Sequence, residues 1–83
     1  MYRLSLSETA EKVLAQLPKH YQKLVRERIE SLSKDPRPHG CKKLQSQTGY
    51  RVRQGPYRII YEIDDSLLVI TVTNIKLRRE AYR

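Results

Sequence analysis

Eighty-three residues suffice for one domain with one modest core, read here as spanning 1–83, since halving the chain would leave neither part enough buried surface to stand alone. Hydrophobic residues make up 39% and charged residues 31%, which excludes a disordered low-hydrophobicity segment, while the single cysteine, Cys41, excludes an internal disulfide and a cysteine-based metal cluster. Seventeen lysines and arginines against nine aspartates and glutamates give a formal charge of +8, so an acidic partner is expected, with a merely solvated basic surface as the alternative.

The N-terminus has no apolar run of leader length, and no later stretch approaches the roughly 20 apolar residues of a membrane span. A cytoplasmic protein without membrane contact is expected. Tyr2 to Leu6 alternates apolar and polar residues, which predicts a short strand with Tyr2, Leu4 and Leu6 inward. Ser7 offers an N-cap, and Glu8 and Glu11 complement the dipole of the helix that follows. Ala10, Val13, Leu14 and Leu17 keep helical spacing until Pro18, which ends one helix and opens the next. In the second helix Tyr21, Leu24, Val25, Ile29 and Leu32 form an apolar stripe, with Lys23, Arg26, Glu27 and Glu30 on the wet side. Two prolines and a glycine between Lys34 and Gly40 make a connector, Leu44 pins the next segment, and Gly49 marks a strand entry. Period-two alternation then predicts strands over Tyr50 to Gln54, Tyr57 to Ile63 and Ser66 to Ile75, with turns at Gly55-Pro56 and Asp64-Asp65. The expected fold class is α+β: an N-terminal strand, a helical hairpin and a three-stranded antiparallel meander, with the helices on one sheet face.

Parity locates the charges. Facing residues of an antiparallel pair have a constant sum of residue numbers, and Val52 must share the core face with Ile59, Tyr61 and Ile63, so that sum is odd. Arg53 then lies opposite Arg58, Val52 opposite Ile59 and Tyr50 opposite Tyr61, which sets Arg51, Arg53 and Arg58 on the outer face. Placing Ile63 opposite Ser66 sends Leu68, Ile70 and Val72 to the core and Thr71 beside Arg58, with Thr73 alongside. Like charges on neighbouring strands repel, so the fold gains nothing from this crowding. Guanidinium forks match phosphate oxygens and stay charged at any working pH, which makes the face a phosphate grip. An ordinary charged face neutralised by Glu62 and Glu80 is the alternative. Tyr82 is either a last packing residue or a functional phenol.

The run from Gly49 through Tyr50-Arg51-Val52-Arg53-Gln54-Gly55-Pro56-Tyr57-Arg58-Ile59-Ile60-Tyr61-Glu62-Ile63 to Asp65, closed by Arg78-Arg79-Glu80-Ala81-Tyr82-Arg83, resembles the RelE toxins of the RelE/ParE superfamily. That resemblance implies a toxin that inhibits translation as a ribosome-dependent, cofactor-free endoribonuclease, cutting messenger RNA in the decoding site by attack of a ribose 2′-hydroxyl. It implies a cognate antitoxin as partner, and operator DNA contacted only through that antitoxin. By the same resemblance Arg51, Arg53, Arg58 and Tyr82 are the expected catalytic residues, and Lys42, Lys43, Lys76, Arg78, Arg79 and Arg83 the expected RNA contacts. Many relatives carry a glycine-histidine pair where this chain has Lys76-Leu77, so no histidine stands there as acid or base. His20 and His39 are expected to be ordinary surface residues. Two alternatives stay open: a non-enzymatic toxin of the ParE type that blocks DNA gyrase, and an inactivated toxin that works as a binding module with its antitoxin. No metal site is expected, because clustered ligands are missing.

Overall fold

Ser7 organises the N-terminal third. A computed structural model of the chain describes residues 1–45 and 48–77. The first strand, β1 (Arg3–Leu6), runs into Ser7, whose hydroxyl oxygen accepts from the Ala10 N–H at 3.1 Å and so starts α1 (Glu8–Gln16). Glu8 and Glu11 lie in its first turn. Leu17 is extended, as a residue before proline must be, and Pro18 itself takes the cap position of α2 (Lys19–Ser31). Gln22 donates from its side-chain amide to the Leu14 carbonyl at 3.0 Å, beside the Leu17 N–H that donates to the same oxygen at 3.3 Å where α1 stops.

Val25, Ile29 and Leu32 lay the second helix on the sheet, and together with Ala10 and Leu14 they meet Val52, Ile59, Tyr61, Ile70, Val72 and Ile75 in one core. Ile59 is fully buried on the central strand, where truncation to alanine costs about 2 to 5 kcal/mol in cores of this kind. Among the described residues no helix is long and apolar enough to cross a membrane.

The sheet has five strands in the order β1-β5-β4-β3-β2, with β2 (Lys42–Lys43), β3 (Tyr50–Gln54), β4 (Tyr57–Asp64) and β5 (Val69–Leu77) antiparallel in sequence and β1 parallel to β5. The expected α+β arrangement, with a helical hairpin on one face of a meander, is what forms. The parallel docking of β1 and the two-residue strand β2 are additions to it. Gly55 opens the first hairpin turn with φ +59, a left-handed value that suits glycine, and its α-carbon backs onto the Tyr21 ring.

The second hairpin departs from expectation. Its third strand begins at Val69 rather than Ser66, and Ile63 pairs with Ile70. Asp64 is the cause: its Oδ1 accepts from the Leu67 N–H at 2.9 Å and from the Ser66 hydroxyl at 2.7 Å, which holds those residues in an extended turn. Leu68, expected in the core, is 48% exposed with φ 56. Thr71 accordingly faces Glu62, not Arg58. Ile70 and Val72 do reach the core, because the register is off by four residues and an even slip preserves the face.

Candidate nucleic-acid interface

The first hairpin has the register that parity requires: Arg53 faces Arg58, Val52 faces Ile59 and Tyr50 faces Tyr61. Val52, Ile59 and Tyr61 are fully buried toward the helices, so alternation along each strand puts Arg51, Arg53 and Arg58 on the opposite face. On the far side of Arg58, β5 presents Lys76, and beside Arg51 the edge strand β2 presents Lys42. Arg53, Arg58 and Lys76 thus stand abreast across three strands, with Lys42 and Arg51 in the neighbouring row. Arg53 is exposed, Arg51 half-buried, and Arg58 only 7% exposed.

Lys76 reaches this face through a β-bulge. Above it, Tyr61 pairs with Val72; below it, Ile60 pairs with Asn74, leaving Thr73 as the extra residue. Without that residue Arg58 would face Ile75, and Lys76 would point into the core. Two hydrogen bonds pin the bulge. Ser7 donates from its hydroxyl to the Thr73 carbonyl at 2.9 Å, and the Thr73 hydroxyl donates to the Ile60 carbonyl at 3.3 Å. One serine therefore both caps α1 and holds the irregularity that orients Lys76. Ser7→Ala is expected to cost about 1 to 2 kcal/mol of stability in chemical denaturation, while Ser7→Thr retains it. An unchanged midpoint for Ser7→Ala would mean that the bulge is held without it.

Lys43 goes elsewhere. It pairs with Tyr50, one residue out of phase with Lys42, and lines an open cleft of about 700 Å³ with Arg37, Glu62 and Thr71. At the same end of the sheet a side-chain network ties the connector down. Arg37 holds the Asp65 carboxylate through Nη2 at 2.9 Å and Nη1 at 3.4 Å, Tyr2 donates to Asp65 Oδ1 at 2.6 Å, and Arg37 Nε donates to the Tyr50 hydroxyl at 3.2 Å. Tyr50 stacks on Tyr61, whose hydroxyl donates to the Pro36 carbonyl at 2.7 Å. No local sequence pattern announces this network, because its members come from four separate segments.

The network carries a pH dependence. Hydrogen bonds from Arg37, then from Tyr2, lower the Asp65 carboxyl below its usual range. A carboxylate with a depressed folded-state value adds stability above its unfolded value of about 3.9, and that stability is lost as the pH falls through the folded value. Asp65→Asn is therefore expected to melt earlier than the parent chain at neutral pH, with the gap closing below about pH 4; parallel melts over a pH series check this.

Burial, reinforced by Cys41, raises the Tyr61 phenol well above its ordinary value, so it stays protonated and serves the connector rather than proton transfer. His20 is exposed with its ring edge-on to Tyr21 at 5.1 Å, His39 is exposed in the connector, and Leu77 ends β5. Arg78, Arg79, Tyr82 and Arg83, like Glu80, lie outside the described residues.

Residues 4–82 match the family model for the ParE toxin of the type II toxin–antitoxin system parDE. Among solved structures, the chain is similar to the archaeal RelE–RelB complex from Pyrococcus horikoshii OT3, at 30% identity and a TM-score of 0.83 over 93% of this chain and 94% of that one. It is also similar to the toxin–antitoxin complex RelBE2 from Mycobacterium tuberculosis, at 28% identity and a TM-score of 0.82 over 93% and 98% of the two chains. The isolated RelE toxin of E. coli shares the fold, with 23% identity and a TM-score of 0.81 over 99% and 92%. A search of curated proteins finds no significant match.

Proposed function

We propose, from the premise that the chain belongs to the ParE toxin family of type II toxin–antitoxin systems within the RelE/ParE superfamily, that this toxin is a metal-independent, ribosome-dependent endoribonuclease. Residues 1–83 act as a single toxin domain in the cytoplasm, and a cognate antitoxin restrains it, as the toxin–antitoxin complexes among its structural relatives suggest. Operator DNA is reached only through that antitoxin.

The observation that carries the reading is the row of Arg53, Arg58 and Lys76, flanked by Lys42 and Arg51. Cations abreast on neighbouring strands repel one another, and a phosphate laid across them adds a favourable charge-assisted contact to each. Cleavage needs a 2′-hydroxyl to attack the adjacent phosphorus. The hydroxyl proton leaves to a base, the bond to the 5′ oxygen breaks, and that oxygen gains a proton. The products are a 2′,3′-cyclic phosphate and a free 5′-hydroxyl. The row stabilises the extra negative charge of the transition state, which is the largest share of such catalysis. Arg58 is placed centrally for it, between Arg53 and Lys76. Tyr82 is proposed for proton transfer or base stacking, and Arg78, Arg79 and Arg83 for further phosphate contacts.

With Leu77 where relatives carry histidine, no imidazole serves the reaction at that point, and the chain relies on charge and on the ribosome's positioning of the strand. Cleavage of free RNA should accordingly be slow. Purified protein is expected to cut messenger RNA on programmed ribosomes and leave a cyclic phosphate; intact ribosome-bound message at excess protein would sink the enzymatic reading. The match to a ParE family model favours one rival, a toxin that blocks DNA gyrase. Inhibition of supercoiling with message left whole would select it.

A further inference from the structure

Two leucines stand where the fold gains little from them. Leu67 is 70% exposed and Leu68 48% exposed in the turn between β4 and β5, and among the described residues the only other large hydrophobic side chain left so open is Met1. The Arg3 N–H donates to the Leu68 carbonyl at 2.8 Å and the Tyr2 hydroxyl to Asp65 at 2.6 Å, so Met1 lies at the same end of the sheet. Leu68 also has φ 56, the only left-handed value among the described residues that are not glycine. Its β-carbon is crowded there, a cost that glycine avoids and asparagine tolerates. A turn selected for the fold alone would carry one of those residues, with a polar neighbour.

This tip is remote from the phosphate grip and differs from it in charge. Arg58, Ile60, Glu62 and Asp64 alternate onto the outer face along β4, and the sign reverses within the roughly 20 Å that separate Arg58 from Asp64. Hydrogen bonds from the Leu67 N–H, then from the Ser66 hydroxyl, lower the Asp64 carboxyl below its usual range. Asp65 is taken by Arg37, and Arg3 stands two strands away from Asp64, beyond Val69. Glu62 and Asp64 repel a nucleic-acid backbone. A second copy would meet the same carboxylates, and these few side chains cannot supply the roughly 1,200 Å² that a stable pair buries. The antitoxin of a chain with a formal charge of +8 is expected to bring acid, which suits the basic rows and not this end. What fits the tip is an apolar socket with a basic rim, and a protein set among ribosomal RNA phosphates is basic as a rule.

We infer that the Leu67–Leu68 tip docks on a basic protein of the ribosome, with the leucines filling an apolar socket and Glu62 and Asp64 facing the lysines and arginines around it. The inference rests on the ribosome-dependent reading above and adds a protein contact to it. The basic row and the tip lie at different ends of the sheet, so message and ribosomal protein are held at the same time.

The test is photo-crosslinking on programmed ribosomes, with p-benzoylphenylalanine in place of Leu67, whose exposure leaves room for it. A crosslink to a ribosomal protein is expected. A crosslink to ribosomal RNA alone, to a second copy of the chain, or only to the cognate antitoxin in the toxin–antitoxin complex would overturn the inference. Leu67→Ser combined with Leu68→Gly is expected to weaken binding to programmed ribosomes about tenfold, the loss of roughly one buried leucine, and to leave affinity for a 2′-O-methyluridine oligonucleotide unchanged. Leu68→Gly alone relieves the left-handed strain and should melt no earlier than the parent chain, which separates a lost contact from a lost fold. Ribosome affinity untouched by the double variant would overturn the inference. A protein crosslink with message left whole would remove the nuclease and keep the docking tip; cleavage with no protein crosslink would do the reverse.

Discussion

Arg58→Ala is expected to lower messenger RNA cleavage on programmed ribosomes by about a hundredfold to a thousandfold, the usual loss when one preorganised donor to a transition-state oxyanion is removed. Arg58 has Arg53 on one side and Lys76 on the other, and it is only 7% exposed, so its guanidinium is held more firmly than a surface arginine would be. Arg58→Lys retains a charge but not the planar fork, and it should recover only part of the rate. Because the side chain also packs, each variant's melting temperature must be read beside its rate. Arg53→Ala, on the exposed end of the row, should cost less. If the two arginines proved equally dispensable to cleavage, the row would not be where the phosphate reacts.

Salt should act on the whole face at once. On the proposed reading Lys42, Arg51, Arg53, Arg58 and Lys76 would supply about five phosphate contacts, each releasing part of a counterion from single-stranded RNA. Affinity for a short RNA is then expected to fall about a hundredfold between roughly 50 and roughly 200 mM salt. Removing Lys76 should reduce the slope of log affinity against log salt by about 0.7, whereas removing Lys43, which lies out of phase in the cleft, should change it less. A flat response would count against a phosphate grip of any kind.

Parity explains why so much of this face was legible in the chain. In the first hairpin the two-residue turn at Gly55-Pro56 leaves one sensible pairing, so Arg53 opposite Arg58 follows from the sequence and is found. The second hairpin has no such anchor. Ser66, Leu67 and Leu68 look like the start of a strand, yet the Asp64 side chain draws them into the turn, and the sliding register cannot be seen in a pattern that repeats every two residues. The bulge at Thr73 was equally hidden. One of the two hydrogen bonds that pin it comes from far off, from Ser7, and its effect is to bring Lys76 beside Arg58 in the place expected for Thr71. Lys42 was expected among the RNA contacts, but its position next to Arg51 depends on a two-residue strand too short to show periodicity. The Arg37–Asp65 pair, 28 residues apart, likewise needs the fold to exist before it can be recognised. Local chemistry was readable where a turn set the register, and became unreadable where a distant side chain did.

The most direct test of the arginine row as a site of message cleavage is to map the 5′ ends of cellular messenger RNA after brief expression of the chain without antitoxin, beside Arg53, Arg58 and Tyr82 variants. New ends carrying a 5′-hydroxyl within translated codons, abundant for the parent chain and nearly absent for Arg58→Ala at equal protein level, are the predicted result. Growth arrest with no new ends, or the same ends at the same frequency in Arg58→Ala, would contradict it.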